Sequence, residues 1–407
     1  MKALRLGTCV TVLALLPLAA LAQRTVALNP TGTPVAPPGL SQPLTAGPFV
    51  YRTGEGQDIR VSVLARLAWP YGLTFLPNGD LLIAQRTGEL QRIAKGTTEL
   101  RPVPGGPTAI GPEAGASVHG YMGVALHPRF AQNGLLYIVY TKPLADKKRT
   151  TAVSRARYAG GRLLEATDIW VGENISGGPA SLAMTPDAKL WIATSGGFAA
   201  TAQDPATLAG KVLRLNDDGT VPTDNPFVGK QGYRPEIYTL GHRTALGLTV
   251  HPVSGQVFLA EMGPNGGDEI NFIKAGSNYG WPLVSLGRSY PGPWQAKANE
   301  PTHSGFELPL LYWTPSISVS GLTFYTGDAL PKWKGDLFVG GLRYGEMPGT
   351  GRVDRVVLNE KLEELRRESL LTDLHQRVRD VKAGPDGFIY VATDEAQGAI
   401  LRIEPAQ

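Results

Sequence analysis

One short pattern occurs six times along this chain: YGLTFLPNGDLLIA (71–84), MGVALHPRFAQNGLLYIVY (122–140), ASLAMTPDAKLWIA (180–193), LGLTVHPVSGQVFLA (246–260), SGLTFYTGDALPKWKGDLFVG (320–340) and RDVKAGPDGFIYVA (379–392). Each copy is a short alternating strand, a turn rich in Pro, Asn, Asp or Gly, and a second, more apolar strand. In several copies a third strand follows, as in LQRI, KVLRL and AILRI. A four-stranded sheet of this kind cannot bury both faces alone, and stacking the sheets radially buries them all while leaving only short edges. The repeat therefore predicts an all-β, six-bladed β-propeller of four-stranded antiparallel blades over residues 51–407. A β-sandwich would not require the copies to share one order of strands and turns. The alternating stretch DIRVSVL, Asp58 to Leu64, precedes the first copy and is expected to complete the last blade and close the ring.

The N-terminus reads as an address. Lys2 and Arg5 precede an apolar run from Leu6 to Leu21, and Ala20-Leu21-Ala22 supplies the small-x-small pattern of a cleavage site before Gln23. Residues 1–22 are thus expected to be a signal peptide. The run is too short, and lacks the basic stop-transfer flank, for a membrane anchor. Cys9, the only cysteine, lies inside it, so the mature chain would carry no disulfide. Residues 23–50 hold prolines every few positions and read as an extended leader, either laid against the domain or free of it. A bacterial periplasmic or secreted location follows. The formal charge of +4 comes without a long Lys/Arg run, which argues against a nucleic-acid partner and leaves small molecules.

The fourth copy runs into EMGPNGGDEINFIKAGSNYGWP, a glycine- and acid-rich excursion between two ordinary strands. This stretch, with GVALHPRF, GHRTALG and QRVRDVKAGPDGFIYVATDE, resembles the soluble glucose/sorbosone dehydrogenases, aldose sugar dehydrogenases that use pyrroloquinoline quinone. The likeness runs from about residue 55 to 403. It implies a six-bladed propeller, the quinone, calcium and a sugar substrate. By resemblance, the main-chain carbonyls of Gly263 and Pro264 face a calcium ion that also binds the quinone, and Glu269 with the carbonyl of Tyr279 holds a second, structural calcium. Calcium takes six to eight oxygens, and carbonyls on a turn held by glycine and proline suit it. The plainer alternative is a long loop whose acids face water.

A tricarboxylate cofactor calls for guanidinium groups, which pair with carboxylates at two points. The resemblance assigns Arg377 and Arg379 to the quinone, Arg243 to the quinone and substrate, and Thr244 to the position beside it where relatives carry a cofactor-binding asparagine. Arg343 stands where relatives usually have lysine. Strand alternation would put Arg377 and Arg379 on one side of a strand. Each arginine taken singly could equally be a surface salt-bridge partner.

The chemistry departs from the family pattern. Relatives carry a base histidine in an H-x-G-S-R motif before the third blade, and this chain has GGPAS there, with Gly177 at the histidine position and Ser181 at the arginine. Met262 likewise replaces a polar residue before Gly-Pro. His119, in the loop leading into blade two, is the candidate for a displaced base; His127 and His251, each before a proline in a blade turn, read as structural. Two function classes follow: a quinone-dependent sugar dehydrogenase with an altered site, or a calcium-stabilised propeller that binds a carbohydrate or anionic ligand without oxidising it. No motif supports a hydrolytic propeller.

Overall fold

The computed structural model describes residues 40–112, 118–173, 175, 178–197, 200–288, 305–345 and 347–406. The proposed signal peptide and the first part of the leader lie outside them. Six antiparallel sheets are formed, one for each copy of the repeat, and every blade is a meander from an inner to an outer strand. The inner strands are Pro70–Phe75, Tyr121–Leu126, Ala180–Met184, Ala245–Val250, Val319–Phe324 and Val378–Ala383. Each packs on the next, and the sixth returns to the first, so the ring is closed.

Closure is made as the DIRVSVL stretch suggests. Ile59–Leu67 pairs antiparallel with Gly398–Pro405 as the fourth strand of blade six. A fifth strand, Phe49–Tyr51, adds outside it, so this blade exceeds the expected four strands. Within the described end of the leader, Leu44 is buried in the core between blades five and six, and Gln376 Nε2 donates to the Gln42 carbonyl at 2.9 Å. This end of the leader is laid against the domain.

The core is distributed as wedges between neighbouring blades. Phe258, Ile270 and Trp313 of blade four meet Val319, Phe324 and Val339 of blade five, for example. Each fully buried Leu, Ile or Phe contributes roughly 1.5–3 kcal/mol by leaving water, and no blade could realise this without its neighbour. Near the axis the inner strands approach too closely for every blade to carry a side chain. A Cβ on Gly72 would lie 2.9 Å from the Gly123 Cα, and one on Gly321 would lie 2.0 Å from Asp380 Oδ1.

Five of the six inner strands share a further device. The pairing register shifts between Pro70 and Gly72, Tyr121 and Gly123, Ala245 and Gly247, Val319 and Leu322, and Val378 and Asp380. Such bulges break alternation and re-aim a side chain. Blade three, where the family motif has become GGPAS, pairs without a shift from Ala180 to Met184. His127 and His251 are turn residues, as expected: His127 Nδ1 accepts the Arg129 N–H at 2.9 Å and His251 Nδ1 accepts that of Ser254 at 3.1 Å.

Candidate functional site at the propeller mouth

In an antiparallel meander the start of the first strand and the end of the second lie at the same end of the blade. Arg243 and Arg377 immediately precede or open inner strands, while Arg86, Met262, Arg343 and Asp394 follow second strands. The topology alone therefore brings all of them to one mouth.

Asp394 organises the blade-six side. Its carboxylate pairs with Arg379, with Arg86 of blade one at 3.0 Å, and with Arg377 at 3.9 Å. Burial works to raise its pKa, but Arg379, Arg377 and Arg86 together hold it at about 2. Arg379 is wholly buried and lies over the Tyr71 ring, 4.6 Å from its centroid. Desolvation and the like charges of Arg379 and Arg343 lower the pKa of Arg377, only partly offset by Asp394 and Glu395. Three guanidinium groups thus share one buried carboxylate, and positive charge is left in excess. The two arginines of QRVRDV do converge, but not by alternation: Arg377 precedes the strand and Arg379 occupies its bulge. Arg343 Nε donates to Ser318 Oγ at 3.3 Å, close enough to Arg377 to act on it.

Blade four supplies the other side. Arg243 stacks over Trp281 at 5.3 Å, and its Nη1 donates to the carbonyls of Met262 at 2.7 Å and Gly263 at 2.9 Å, with Thr244 Oγ1 at 3.4 Å. Its main chain is fixed as well. The Arg243 N–H donates to Glu261 Oε2 at 2.7 Å, and its carbonyl accepts the N–H groups of Gly196 and Gly197 from blade three. Beneath it lies a buried network that the sequence did not disclose. Glu261 accepts from His242 Nδ1 at 2.8 Å and from Asn271 Nδ2 at 2.7 Å, while His242 Nε2 meets Thr239 Oγ1 and the ring stacks on Tyr279. Burial works to raise the Glu261 pKa, and His242 with the N–H donors outweighs it and lowers it.

The glycine-rich excursion is folded back on itself rather than solvated. Asp268, fully buried, accepts the Gly263 N–H at 3.1 Å and, from blade five, Ser316 Oγ and the N–H groups of Ile317 and Val319. Gly263, Pro264, Glu261, Glu269 and Tyr279 line one cavity of about 20 Å³, space for one water-sized occupant. Glu261 and Glu269 stand directly opposite on paired strands and share Asn271 Nδ2, at 2.7 and 3.1 Å. Like charges so placed repel, and a cation among hard oxygens would relieve them. The Gly263 carbonyl already accepts from Arg243, and that of Pro264 from the Arg288 N–H at 2.8 Å, but each carbonyl has a second lone pair. The donor set fits calcium.

Of the remaining expectations, Gly177 lies outside the described residues. His119 is fully buried, beside Gly120, whose backbone packs on that of Arg86. Lys211, unmarked in the sequence, is buried at the foot of the blade-three loop, donating to the carbonyls of Thr201, Ala202 and Ala209 at 2.8 to 3.1 Å. Among the described residues no helix is long and apolar enough to cross a membrane.

Fold and site together define a six-bladed propeller with an arginine-rich axial mouth beside an oxygen-lined cavity. The chain belongs to the glucose/sorbosone dehydrogenase family, whose model matches residues 67–402. It is 36% identical over 378 residues to the aldose sugar dehydrogenase YliI of Escherichia coli, covering 90% of this chain and 96% of that protein. The apo-form structure of the soluble E. coli aldose sugar dehydrogenase superposes with a TM-score of 0.78 at 35% identity, covering 86% of this chain and all of that one. A structure of the Streptomyces coelicolor aldose sugar dehydrogenase in its PQQ-bound form superposes with a TM-score of 0.66 at 26% identity, covering 89% and 99%.

Proposed function

We propose that this protein is an exported aldose dehydrogenase that holds pyrroloquinoline quinone over the mouth of its channel. The observation that carries the reading is the charge imbalance there: Arg86, Arg377 and Arg379 gather around the carboxylate of Asp394, with Glu395 the further acid acting on Arg377. An anionic, planar cofactor supplies the missing negative charge. Arg377 and Arg379, with Arg343, would pair with its carboxylates, and Arg243 and Thr244 would meet it from blade four. The cavity itself would take one ion, drawing on Glu269 and the Tyr279 carbonyl, and the calcium that meets the quinone would sit outside it, on the mouth side of the Gly263 and Pro264 carbonyls. When bound, the quinone supplies the two-electron oxidant for the anomeric carbon of the sugar. The chain's own part is to fix that group, to fill the mouth against water, and to take the hydroxyl proton. His119, in the segment leading into blade two, is the proposed base.

The replacement of the family histidine by Gly177 favours a second reading, in which the mouth binds a carbohydrate or anionic ligand without oxidising it. One titration separates the two. Quinone added with calcium should bind saturably, and Arg377→Ala with Arg379→Ala should weaken it at least tenfold, since hydrogen bonds to charged groups contribute roughly 1.5–3 kcal/mol each. No saturable binding by the parent protein would leave only the second reading.

A further inference from the structure

Six equivalent positions, one per blade, face the axis below the mouth: Gly72, Gly123, Ser181, Gly247, Gly321 and Asp380. The four glycines leave a channel of about 40 Å³ open, and the two remaining residues make it polar. Ser181 Oγ and Arg379 Nη1, both buried and both lining this channel, have no hydrogen-bond partner among the described residues. The buried Tyr71 hydroxyl, on the same channel, interacts with the Arg379 guanidinium. Leaving one such group unsatisfied costs about 1–3 kcal/mol. Ser181 Oγ and Arg379 Nη1, from blades three and six around one cavity, call for water, and the space admits about two or three molecules.

We propose that the channel is hydrated and that Tyr71, Ser181 and Asp380, bridged by ordered water, relay protons between the arginine-lined mouth and Lys382. Asp380 is tied across the ring closure, with Oδ2 accepting the Leu73 N–H of blade one at 2.8 Å and Oδ1 that of Val381 at 2.9 Å. Burial raises its carboxyl pKa, with Lys382 as the leading opposing charge, so it can hold a proton. The other titratable groups on the channel are Tyr71, Arg379 and Lys382, and Arg86 and Asp394 act on the Tyr71 hydroxyl from the mouth side. Lys382 lies two residues beyond Asp380 on the same strand, half-buried, on the way to the opposite face.

The chemical need rests on the function proposed above. Oxidising one aldose to its lactone removes two electrons and two protons. An external dye takes the electrons when the cofactor is reoxidised, and two protons must then leave the mouth. Its arginines cannot accept them, because a guanidinium does not deprotonate in a protein.

The test begins with the quinone-free protein. A high-resolution crystal structure should show ordered water within hydrogen-bond distance of Ser181 Oγ and Arg379 Nη1, and a dry channel overturns the proposal. At mildly acidic pH the infrared carbonyl band of a protonated carboxyl, assigned by its loss in Asp380→Asn, should shift rapidly on transfer to D2O. Ser181→Val, which plugs the channel without touching Asp380, should slow that shift at least tenfold; Tyr71→Phe is a second variant should Asp380→Asn not fold. An exchange rate indifferent to the plug overturns the relay. With quinone and dye, the plug should slow reoxidation tenfold and leave quinone affinity unchanged. Failure to bind quinone at all would remove the proposed function while the exchange result still judged the relay. Quinone binding with reoxidation unaffected by the plug would sink the relay alone.

Discussion

The guanidinium of Arg243 donates to the main-chain carbonyl of Gly263 at 2.9 Å, the very oxygen that would face calcium. A cation on the second lone pair and the guanidinium would therefore meet at one carbonyl as like charges. Their repulsion would favour turning Arg243 toward whatever anion fills the mouth, which couples metal and cofactor. Arg243→Ala should bind calcium at least fivefold more tightly by calorimetry, about 1 kcal/mol, while quinone affinity falls. Equal calcium affinity in the two proteins would contradict this repulsion.

Calcium itself should stabilise the fold, because an ion that binds only the folded state adds about 2.7 kcal/mol at a hundredfold excess over its Kd. Chelation is expected to lower the melting temperature. Glu269→Gln, which relieves the facing pair with Glu261, should reduce the size of that drop. An identical melting curve with and without chelator, in protein shown to hold no metal, would exclude the site.

Asp394 binds three arginines, so its removal leaves guanidinium groups buried without a partner. Asp394→Asn should cost about 3–5 kcal/mol in denaturant unfolding. The sign of the pH dependence follows from its depressed pKa of about 2 against an ordinary 3.8. The stabilisation is complete above pH 4 and is lost as pH falls toward 2. In the variant this part of the acid limb should disappear.

Lys211 behaves in the opposite sense. Burial pushes its amine down to about 7 from 10.5, with Asp204 opposing. Between those values the unfolded chain binds a proton that the folded one does not, so this residue's contribution makes stability rise with pH across that window and stay level below it. Lys211→Met should flatten the rise. It also strips a donor from three carbonyls, one of which, Ala202, receives the Gly241 N–H beside the site. A net loss of about 1–3 kcal/mol is expected at pH 6, by denaturant titration.

Turnover tests the altered blade-three motif. A positioned base is worth roughly 10²–10⁴-fold, so the quinone-loaded protein should reduce a dye with glucose slower by that factor than a relative with an intact histidine. Gly177→His should recover part of it. His119→Ala abolishing the residual rate would locate the base in the loop before blade two, and an unchanged rate would exclude that residue.

The architecture was legible because its signal is local: six copies of strand, turn and strand with a period-2 pattern dictate the propeller and even the strand that closes it. The glycine-proline turn and the arginines stood out as short motifs only through the family resemblance. Their partners did not. Asp394 sits 308 residues from Arg86 and Asp268 accepts hydrogen bonds from residues about 50 positions away, distances over which the sequence carries no periodic signal. Alternation mispredicted the route by which Arg377 and Arg379 meet, because a bulge re-aims a side chain without marking the sequence. Nor could local pattern show that Glu261 and His242 would be buried together, that Arg243 would occupy the Gly263 carbonyl, or that Ser181, Arg379 and Tyr71 would face one cavity. Those relationships arise only when the ring closes, since closure sets which blade ends meet and which polar atoms are cut off from water.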